Sequence, residues 1–219
     1  MRSSCLTLLV AFAGLLSAVA TVRAADEPGS TANSFVAGQI LLRDVYMQPT
    51  TADLTFPVRD GTYFELSPIM RFGSRWSAEL TLGNRKDFSA AQRGGDEGPS
   101  QLFSLNINTL TGRYDLYTEG KVRPYIGVGI AYVSLEFHCN NCQGDLQLLH
   151  PASVSAVAQG GLDWRITENL FINADVRYLP ELDTHFNVYP PGIDAHFDVP
   201  LHIRPVLIGL GFGYGFYPN

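Results

Sequence analysis

Strict alternation of apolar with polar or small residues is the feature that most constrains how this chain can fold. A period of two places successive side chains on opposite faces of a β-strand, so an alternating segment predicts a strand with one apolar face. The clearest segment runs from Leu170 to Leu179, where the polar positions are Asn173, Asp175 and Arg177 and apolar residues stand between them. Similar alternation covers residues 153–166, 123–137 and 206–216, and a weaker form covers 63–72 and 75–82.

Glycine occupies the face opposite the large apolar residues in two of these segments. It recurs at every second position of each, at Gly127 and Gly129 and again at Gly209, Gly211, Gly213 and Gly215. Glycine weakens a strand unless space is short or the sheet must bend, and a small closed barrel has both a crowded interior and sharp curvature. A sandwich core would instead need large side chains pointing inward. The glycines therefore favour a barrel whose large apolar residues point outward.

The connections between about eight strand-like segments alternate in length. Short turns are predicted at 73–74 and 167–169, an intermediate one at 117–122, and longer loops near 48–60, 85–100, 138–152 and 181–198. Short periplasmic turns and long external loops are typical of outer-membrane barrels. The predicted fold is all-β, an eight-stranded antiparallel transmembrane β-barrel. The alternation fails inside 34–47 and 101–117, and the break at Leu41-Leu42-Arg43-Asp44 predicts a β-bulge.

The first residues have the pattern of a secretory signal. Arg2 precedes an uncharged apolar run from Leu6 to Ala20, and small residues follow, so we expect residues 1–24 to be a signal peptide and 25–219 to form the barrel. Cleavage after Ala20 or Ala25 is the alternative. The formal net charge of −6 includes two arginines of this segment and none of its acids, so the processed chain carries −8. An acidic chain lacks the basic face that nucleic acid requires, and we expect no nucleic-acid partner.

Several stretches resemble one family. Arg123-Pro124-Tyr125-Ile126-Gly127-Val128-Gly129, Gly161-Leu162-Asp163-Trp164, Asn169-Leu170-Phe171-Ile172-Asn173-Ala174 and Gly209-Leu210-Gly211-Phe212-Gly213-Tyr214 are similar to the OmpW family, most strongly over 120–216. The resemblance implies an outer-membrane barrel with a narrow, largely apolar lumen that helps small hydrophobic molecules cross the outer membrane, without a cofactor. The alternative is a surface receptor or adhesin that acts through its long loops. Family members commonly end on an aromatic residue that the barrel-assembly machinery reads, whereas this chain continues past Phe216 to Tyr217-Pro218-Asn219.

Polar residues on the predicted inner face are the candidate lumen lining. One hypothesis is that they line and gate a pathway; the other is that they fill the interior as paired charges, because an eight-stranded lumen is barely wide enough for its own side chains. Lipid lies outside, and lipopolysaccharide in the outer leaflet is an expected partner. The predicted lining residues are Glu79, Gln159, Asp163, Arg165, Asn173, Asp175 and Arg177.

The long loops hold the remaining candidates. Leu146, Leu148 and Leu149 could receive a hydrophobic ligand at the external mouth. Cys139 and Cys142 are expected to form a disulfide in an oxidising compartment, with free thiols or a metal site including His138 and His150 as alternatives. His185, His196 and His202 are expected to be solvated loop residues, with metal binding or pH sensing as the other interpretation.

An enzymatic function is not expected. Some small outer-membrane barrels modify lipid A, and the deacylase among them uses a His-x-Ser pair. None of the five histidines of this chain is followed by serine two positions later.

Overall fold

The computed structural model describes residues 36–51, 60–84, 86–89, 101–139, 145–148, 152–180, 182–189 and 197–216. Side chains are described for 38–48, 60–84, 104–136, 152–180, 182 and 203–216. The predicted signal peptide lies outside these ranges and stays a prediction. Within the described ranges, no helix is long and apolar enough to cross a membrane.

Eight antiparallel strands, hydrogen-bonded in chain order and closed by pairing of the first with the last, form the barrel. Three shorter strands extend the sheet at the end opposite the short turns. The predicted eight-stranded barrel is confirmed. The barrel strands are β1 (Val36–Thr51), β2 (Gly61–Phe72), β3 (Trp76–Gly83), β5 (Gln101–Asp115), β6 (Val122–Cys139), β8 (Ala152–Arg165), β9 (Leu170–Tyr178) and β11 (Phe197–Phe216), and the short ones are β4 (Lys86–Ser89), β7 (Asp145–Leu148) and β10 (Leu182–Tyr189).

The hydrogen-bond register gives the barrel a fixed stagger. A path that starts at Gly38 and steps to the paired residue on each next strand passes Val128 and returns to β1 at Gln48. Gln48 lies ten residues further along β1 than Gly38. A stagger of this size requires strands tilted by about 40° to the barrel axis. Each residue then advances about 2.5 Å along the axis.

The two faces of the wall differ sharply, as the alternation predicts. On β9, Asp175 and Arg177 are 3% and 0% exposed, whereas Val176 between them is 49% exposed. Exposed apolar side chains cover the outer surface of all eight strands, and this surface would face the acyl chains of a bilayer. Exposed aromatic residues border it at both ends, with Trp76, Trp164, Tyr214 and Phe216 near the short turns and Tyr46, Phe64, Tyr132 and Tyr178 towards the loops.

Two local predictions are wrong. The β-bulge expected at Leu41–Asp44 is absent, since β1 pairs without interruption with both neighbours there. The alternation fails for another reason: Leu41 is an apolar residue pointing inward and Asp44 is a polar one pointing outward. The predicted loops 85–100, 138–152 and 181–198 also contain the short strands β4, β7 and β10, and β11 begins at Phe197.

Candidate functional site in the barrel interior

A network of buried charges fills the interior at about mid-height. Its centre is Arg43 of β1, whose guanidinium contacts carboxylates from three other strands. Nη1 donates to Asp175 Oδ2 at 2.9 Å, Nε lies 3.5 Å from Glu65 Oε2, and Nη2 donates to Glu79. The same Nη2 lies 2.7 Å from Ser67 Oγ and 3.1 Å from Thr81 Oγ1. Arg43 therefore links β1, β2, β3 and β9 across the barrel.

Arg113 of β5 extends the network towards the short turns. Its Nη1 donates to Glu79 Oε2 at 3.1 Å, and its Nη2 donates to Asp163 Oδ2 at 2.7 Å. The guanidinium carbon lies 3.5 Å from the centroid of the Tyr125 ring, close enough for a cation–π interaction. Asn173 donates from Nδ2 to the Tyr125 hydroxyl at 3.0 Å and to Asp163 Oδ1 at 2.7 Å. Arg113 is thus held on three sides.

Arg177 of β9 extends the network in the opposite direction. It donates to both oxygens of Glu65, at 3.1 and 2.6 Å, in the forked arrangement that arginine favours with carboxylates. Its Nε lies 3.1 Å from Asp175 Oδ2. Gln159 Nε2 donates to the same oxygen of Asp175 at 3.1 Å. The network therefore spans the lumen from β2 to β9.

The charges of the network nearly balance, and the network fills the lumen at this height. Three arginines meet four carboxylates, Glu65, Glu79, Asp163 and Asp175, and neutral hydroxyl and amide groups supply further hydrogen bonds. Arg43, Arg113 and Arg177 are each 0% exposed, so they are shielded from bulk water. Removing one partner of a buried ion pair costs about 3–5 kcal/mol, because the other charge stays buried without compensation. The charge network therefore resists opening along the barrel axis.

Inward-facing glycines of β11 make room for the side chains of the charge network. A β-carbon at Gly211 would lie 2.6 Å from Arg43 Cγ, and one at Gly209 would collide with the carboxylate of Asp175. One at Gly213 would collide with the Phe171 ring. The alternating glycines are needed because the side chains of their paired residues on the adjacent strands β1 and β9 occupy the space on the inner side, as expected for a crowded barrel interior.

The interior changes from ionic to apolar towards the loop end. Val45 and Met47 continue the inner face of β1 beyond Arg43, and Leu207 faces them from β11. Their side chains are 0–1% exposed, so they fill this part of the lumen rather than line an open channel. We call this set the apolar layer; its members are Val45, Met47, Tyr63, Leu105, Ile107, Ala131, Val133, Leu135, Val157, Leu179, Leu182, Ile203 and Leu207.

The backbone pairing of β2 with β3 is incomplete, although the Ser67 hydroxyl donates to Thr81 Oγ1 across the unpaired step at 3.1 Å. Pairing stops after Leu66 and Leu82 and resumes at Ile69 and Glu79, and Pro68, which has no N–H to donate, lies in the gap. Beyond Leu82 the strands are joined by Asn84, whose N–H donates to Phe64 O at 2.9 Å and whose Oδ1 accepts from Phe64 N at 3.1 Å. The next strand, β4, pairs with β5. We call this interrupted boundary the β2–β3 seam.

The seam borders the apolar layer. Gly83, beside Leu82, places only a hydrogen atom on the inner side of the wall. A β-carbon at this position would lie 2.5 Å from Ile107 O and 3.3 Å from the Tyr63 ring, both belonging to residues of the apolar layer. On the outer side Leu66 is 46% exposed. The seam thus has residues of the apolar layer on its inner side and an exposed apolar side chain on its outer side.

The structure places all seven predicted lining residues on the inner side of the barrel wall, but not all in one group. Glu79, Gln159, Asp163, Asn173, Asp175 and Arg177 lie in or against the charge network, whereas Arg165 is half-buried at the short-turn end beside Arg71 and Arg123.

Sequence reasoning missed Arg43, Glu65 and Arg113, which are three of the seven charged residues of the network. It also missed the pair between Arg71 and Asp115 near the short turns. Glu65 and Arg71 alternate with apolar residues on β2, which was a usable signal. Arg43 and Arg113 lie on strands whose alternation fails, so the pattern did not mark their side chains as inward.

The candidate loop residues are only partly described. Leu146 and Leu148 lie on β7, paired with Val188 and Phe186 of β10, so they belong to a short strand instead of the irregular loop expected. Leu149 and Cys142 lie outside the described residues, as do the side chains of Leu146, Leu148 and Cys139. The proposed ligand entrance and the disulfide therefore stay predictions.

A closed eight-stranded barrel with an apolar outer surface, aromatic borders and a charged interior defines an integral outer-membrane protein. A model of the OmpW family matches residues 41–216, and the chain belongs to that family. Outer membrane protein W of Salmonella typhi is 33% identical over 103 residues, which cover 45% of this chain and 47% of the relative. The matched region thus spans about half the length of that relative.

Two solved structures share the fold. The crystal structure of OprG from Pseudomonas aeruginosa superimposes with a TM-score of 0.69 at 18% identity, over 86% of this chain and 100% of OprG. The NMR structure of outer membrane protein W from E. coli gives a TM-score of 0.51 at 23% identity, over 83% and 99%. The family and the fold assign this protein to the Gram-negative outer membrane.

Proposed function

We propose that this barrel lets small hydrophobic molecules cross the outer membrane by a path that starts at the loop end and leaves sideways into the bilayer. In this mechanism a solute enters among the side chains of the apolar layer. It meets the charge network at mid-height, and it leaves through the β2–β3 seam. No cofactor is required, and the driving force is the solute's own concentration gradient.

The change from apolar to ionic interior at mid-height is the observation that carries this proposal. An apolar solute moving further down the axis would have to separate Arg43 or Arg177 from buried carboxylates, at about 3–5 kcal/mol for each broken pair. The lateral path avoids this cost because it leaves the barrel at Leu66 and Leu82, on the loop side of the unpaired step where Ser67 and Thr81 bind Arg43. The seam also has fewer backbone pairs to separate than an uninterrupted boundary. The solute's apolar surface stays out of water along the whole lateral path, which the hydrophobic effect favours.

Passage requires side chains to move. The members of the apolar layer are almost fully buried, and no standing channel runs between those described. A solute must therefore displace them while the seam widens. Asn84 is placed to resist widening, because it bridges to both backbone groups of Phe64.

Cross-linking the seam tests the proposal. Leu66→Cys and Leu82→Cys place two thiols at a paired position on the seam, and Leu110→Cys with Ile130→Cys do the same on the uninterrupted β5–β6 boundary. Both pairs are made in a background without Cys139 and Cys142 and joined with a short reducible thiol cross-linker. The readout is uptake of a fluorescent hydrophobic probe by cells that depend on this protein for uptake.

The two cross-links should behave differently. Joining the seam should lower uptake, and reduction of the cross-linker should restore it. Joining β5 to β6 should leave uptake unchanged, because that boundary stays closed in the mechanism. Full uptake with a completely cross-linked seam would contradict the lateral path.

The filled interior also favours a second candidate, a surface receptor or adhesin that acts through its loops and moves no solute. Replacing the external loops separates the two functions. Adhesion or receptor binding would be lost in such chimaeras, whereas binding of a hydrophobic probe in the apolar layer of the barrel would survive. If deleting the gene for this protein leaves the sensitivity of the cells to hydrophobic compounds unchanged, only the second candidate fits.

A further inference from the structure

Among the described residues, one carboxylate lies on the outer surface of the barrel within the apolar band. Asp44 of β1 is exposed and points outward, opposite the inward-facing Arg43. Leu42 and Tyr46 flank it on its own strand, and the residues paired with it are Leu210 of β11 and Phe64 of β2. All four neighbours are exposed and mainly apolar. Asp44 is therefore surrounded by side chains that face acyl chains.

The register fixes the depth of this carboxylate. Asp44 lies two residues from Tyr46, an aromatic residue that borders the band at the loop end, so it is about 5 Å deeper in the bilayer. The Tyr46 hydroxyl donates to Asp60 and is already engaged. Among the described residues, none donates a hydrogen bond to Asp44 or forms an ion pair with it. A charged group at such a depth is costly unless it finds a partner.

We propose that Asp44 binds lipopolysaccharide, by accepting hydrogen bonds from amide and hydroxyl groups on its acyl chains. The loop end of the barrel faces the outer leaflet, where lipopolysaccharide is the principal lipid. Its amide-linked hydroxyacyl chains carry N–H and O–H donors just below the sugar headgroup, the depth at which Asp44 lies. The acyl chains of phospholipids are ester-linked and offer no such donor. Phe64 and Leu210 would pack against the hydrocarbon on either side.

A second copy of the chain fits this surface less well. A twofold contact places the same patch of each subunit against the other, which would bring two Asp44 carboxylates together. Of the four nearest outward residues, Leu42, Phe64 and Leu210 cannot donate a hydrogen bond, and the Tyr46 hydroxyl already donates to Asp60. The lipid is therefore the favoured occupant. The proposal rests on the membrane orientation of the barrel and is independent of solute transport.

The test compares stability in two lipids. The wild type, D44N and D44L are refolded into phosphatidylcholine vesicles with and without rough lipopolysaccharide, and the urea midpoint of unfolding is measured. Leucine removes both the charge and the acceptor, whereas asparagine keeps an acceptor oxygen at the same place. The control is E119L, which removes an exposed carboxylate from the turn at the opposite end of the barrel.

The informative quantity is the rise in midpoint on adding lipopolysaccharide. It should be largest for the wild type, smaller for D44N and smallest for D44L, with E119L equal to the wild type. In phosphatidylcholine alone, D44L should be at least as stable as the wild type, since it removes an unpaired charge from the apolar band. If D44L does not refold, D44N carries the comparison.

Two results would overturn the proposal. One is an equal rise in midpoint for the wild type, D44N and D44L. The other is a cross-linkable dimer in phosphatidylcholine that D44L abolishes, which would identify a second copy as the occupant.

Discussion

Replacing Arg177 by methionine tests the charge network most severely. Methionine keeps much of the side-chain length and removes the guanidinium. The change leaves Glu65 without its forked partner and Asp175 with only Arg43 and Gln159. Because Glu65 and Asp175 are 1% and 3% exposed, bulk water does not reach the carboxylates that Arg177 leaves behind. We expect a loss of about 3–5 kcal/mol in the free energy of unfolding.

A second substitution separates lost charge balance from lost packing. The wild-type network has one more carboxylate than arginines, and Arg177→Met raises the excess to two. Adding Glu65→Gln returns it to one. The double variant should therefore be more stable than the sum of the two single changes predicts, by about 0.5–3 kcal/mol, the range found for residues in one ion-pair network.

The assay is equilibrium urea unfolding in lipid vesicles, followed by tryptophan fluorescence. Arg165→Met is the matched control, since Arg165 is half-buried at the short-turn end and its loss should cost less than about 1 kcal/mol. Equal stability of the Arg177→Met and Arg165→Met proteins would refute the idea that the interior is held together by buried ion pairs.

Three further predictions concern the wall, the outer face and the loops. Gly211→Ala should cost about 1–3 kcal/mol by overpacking against Arg43, whereas Gly38→Ala, where a β-carbon meets nothing within 4 Å, should change the unfolding free energy little. Leu210→Arg should cost up to about 2–4 kcal/mol in a bilayer, because Leu210 is 62% exposed on the outer face; unchanged stability would place that face in water. Alkylation of unreduced protein should leave Cys139 and Cys142 unmodified in a mass spectrum, and modification of both would exclude the disulfide.

The sequence predicted those parts of the barrel in which a strand keeps one kind of residue on each face. On β9 the inner face is polar throughout its charged stretch and the outer face apolar, so Asp175 and Arg177 were placed correctly. The glycines of β11 were also interpreted correctly, because their alternation requires large side chains opposite them.

The prediction failed where the inner face changes character along one strand. On β1 the inner residues run from Leu41 through Arg43 to Val45, and the outer residues include Asp44, so neither face is uniform. A period-of-two pattern cannot show such a strand, and Arg43 went unrecognised for this reason. The strands β7 and β10 lie among the long loops, away from the turn end. Both alternate in the sequence, with Leu146 and Leu148 beside Asp145 and Gln147, and Phe186 and Val188 beside His185 and Asn187, so this signal was present but was not used.

The most direct test of the central claim uses the two tryptophans of the chain, Trp76 and Trp164. Both lie on the outer face at the short-turn end, 58% and 51% exposed. In vesicles containing phospholipids brominated on the acyl chains, their fluorescence should be strongly quenched, most by bromine close to the headgroup. A folded protein whose tryptophan emission is unaffected by brominated lipid would show that this face does not touch the bilayer, and the account would be wrong.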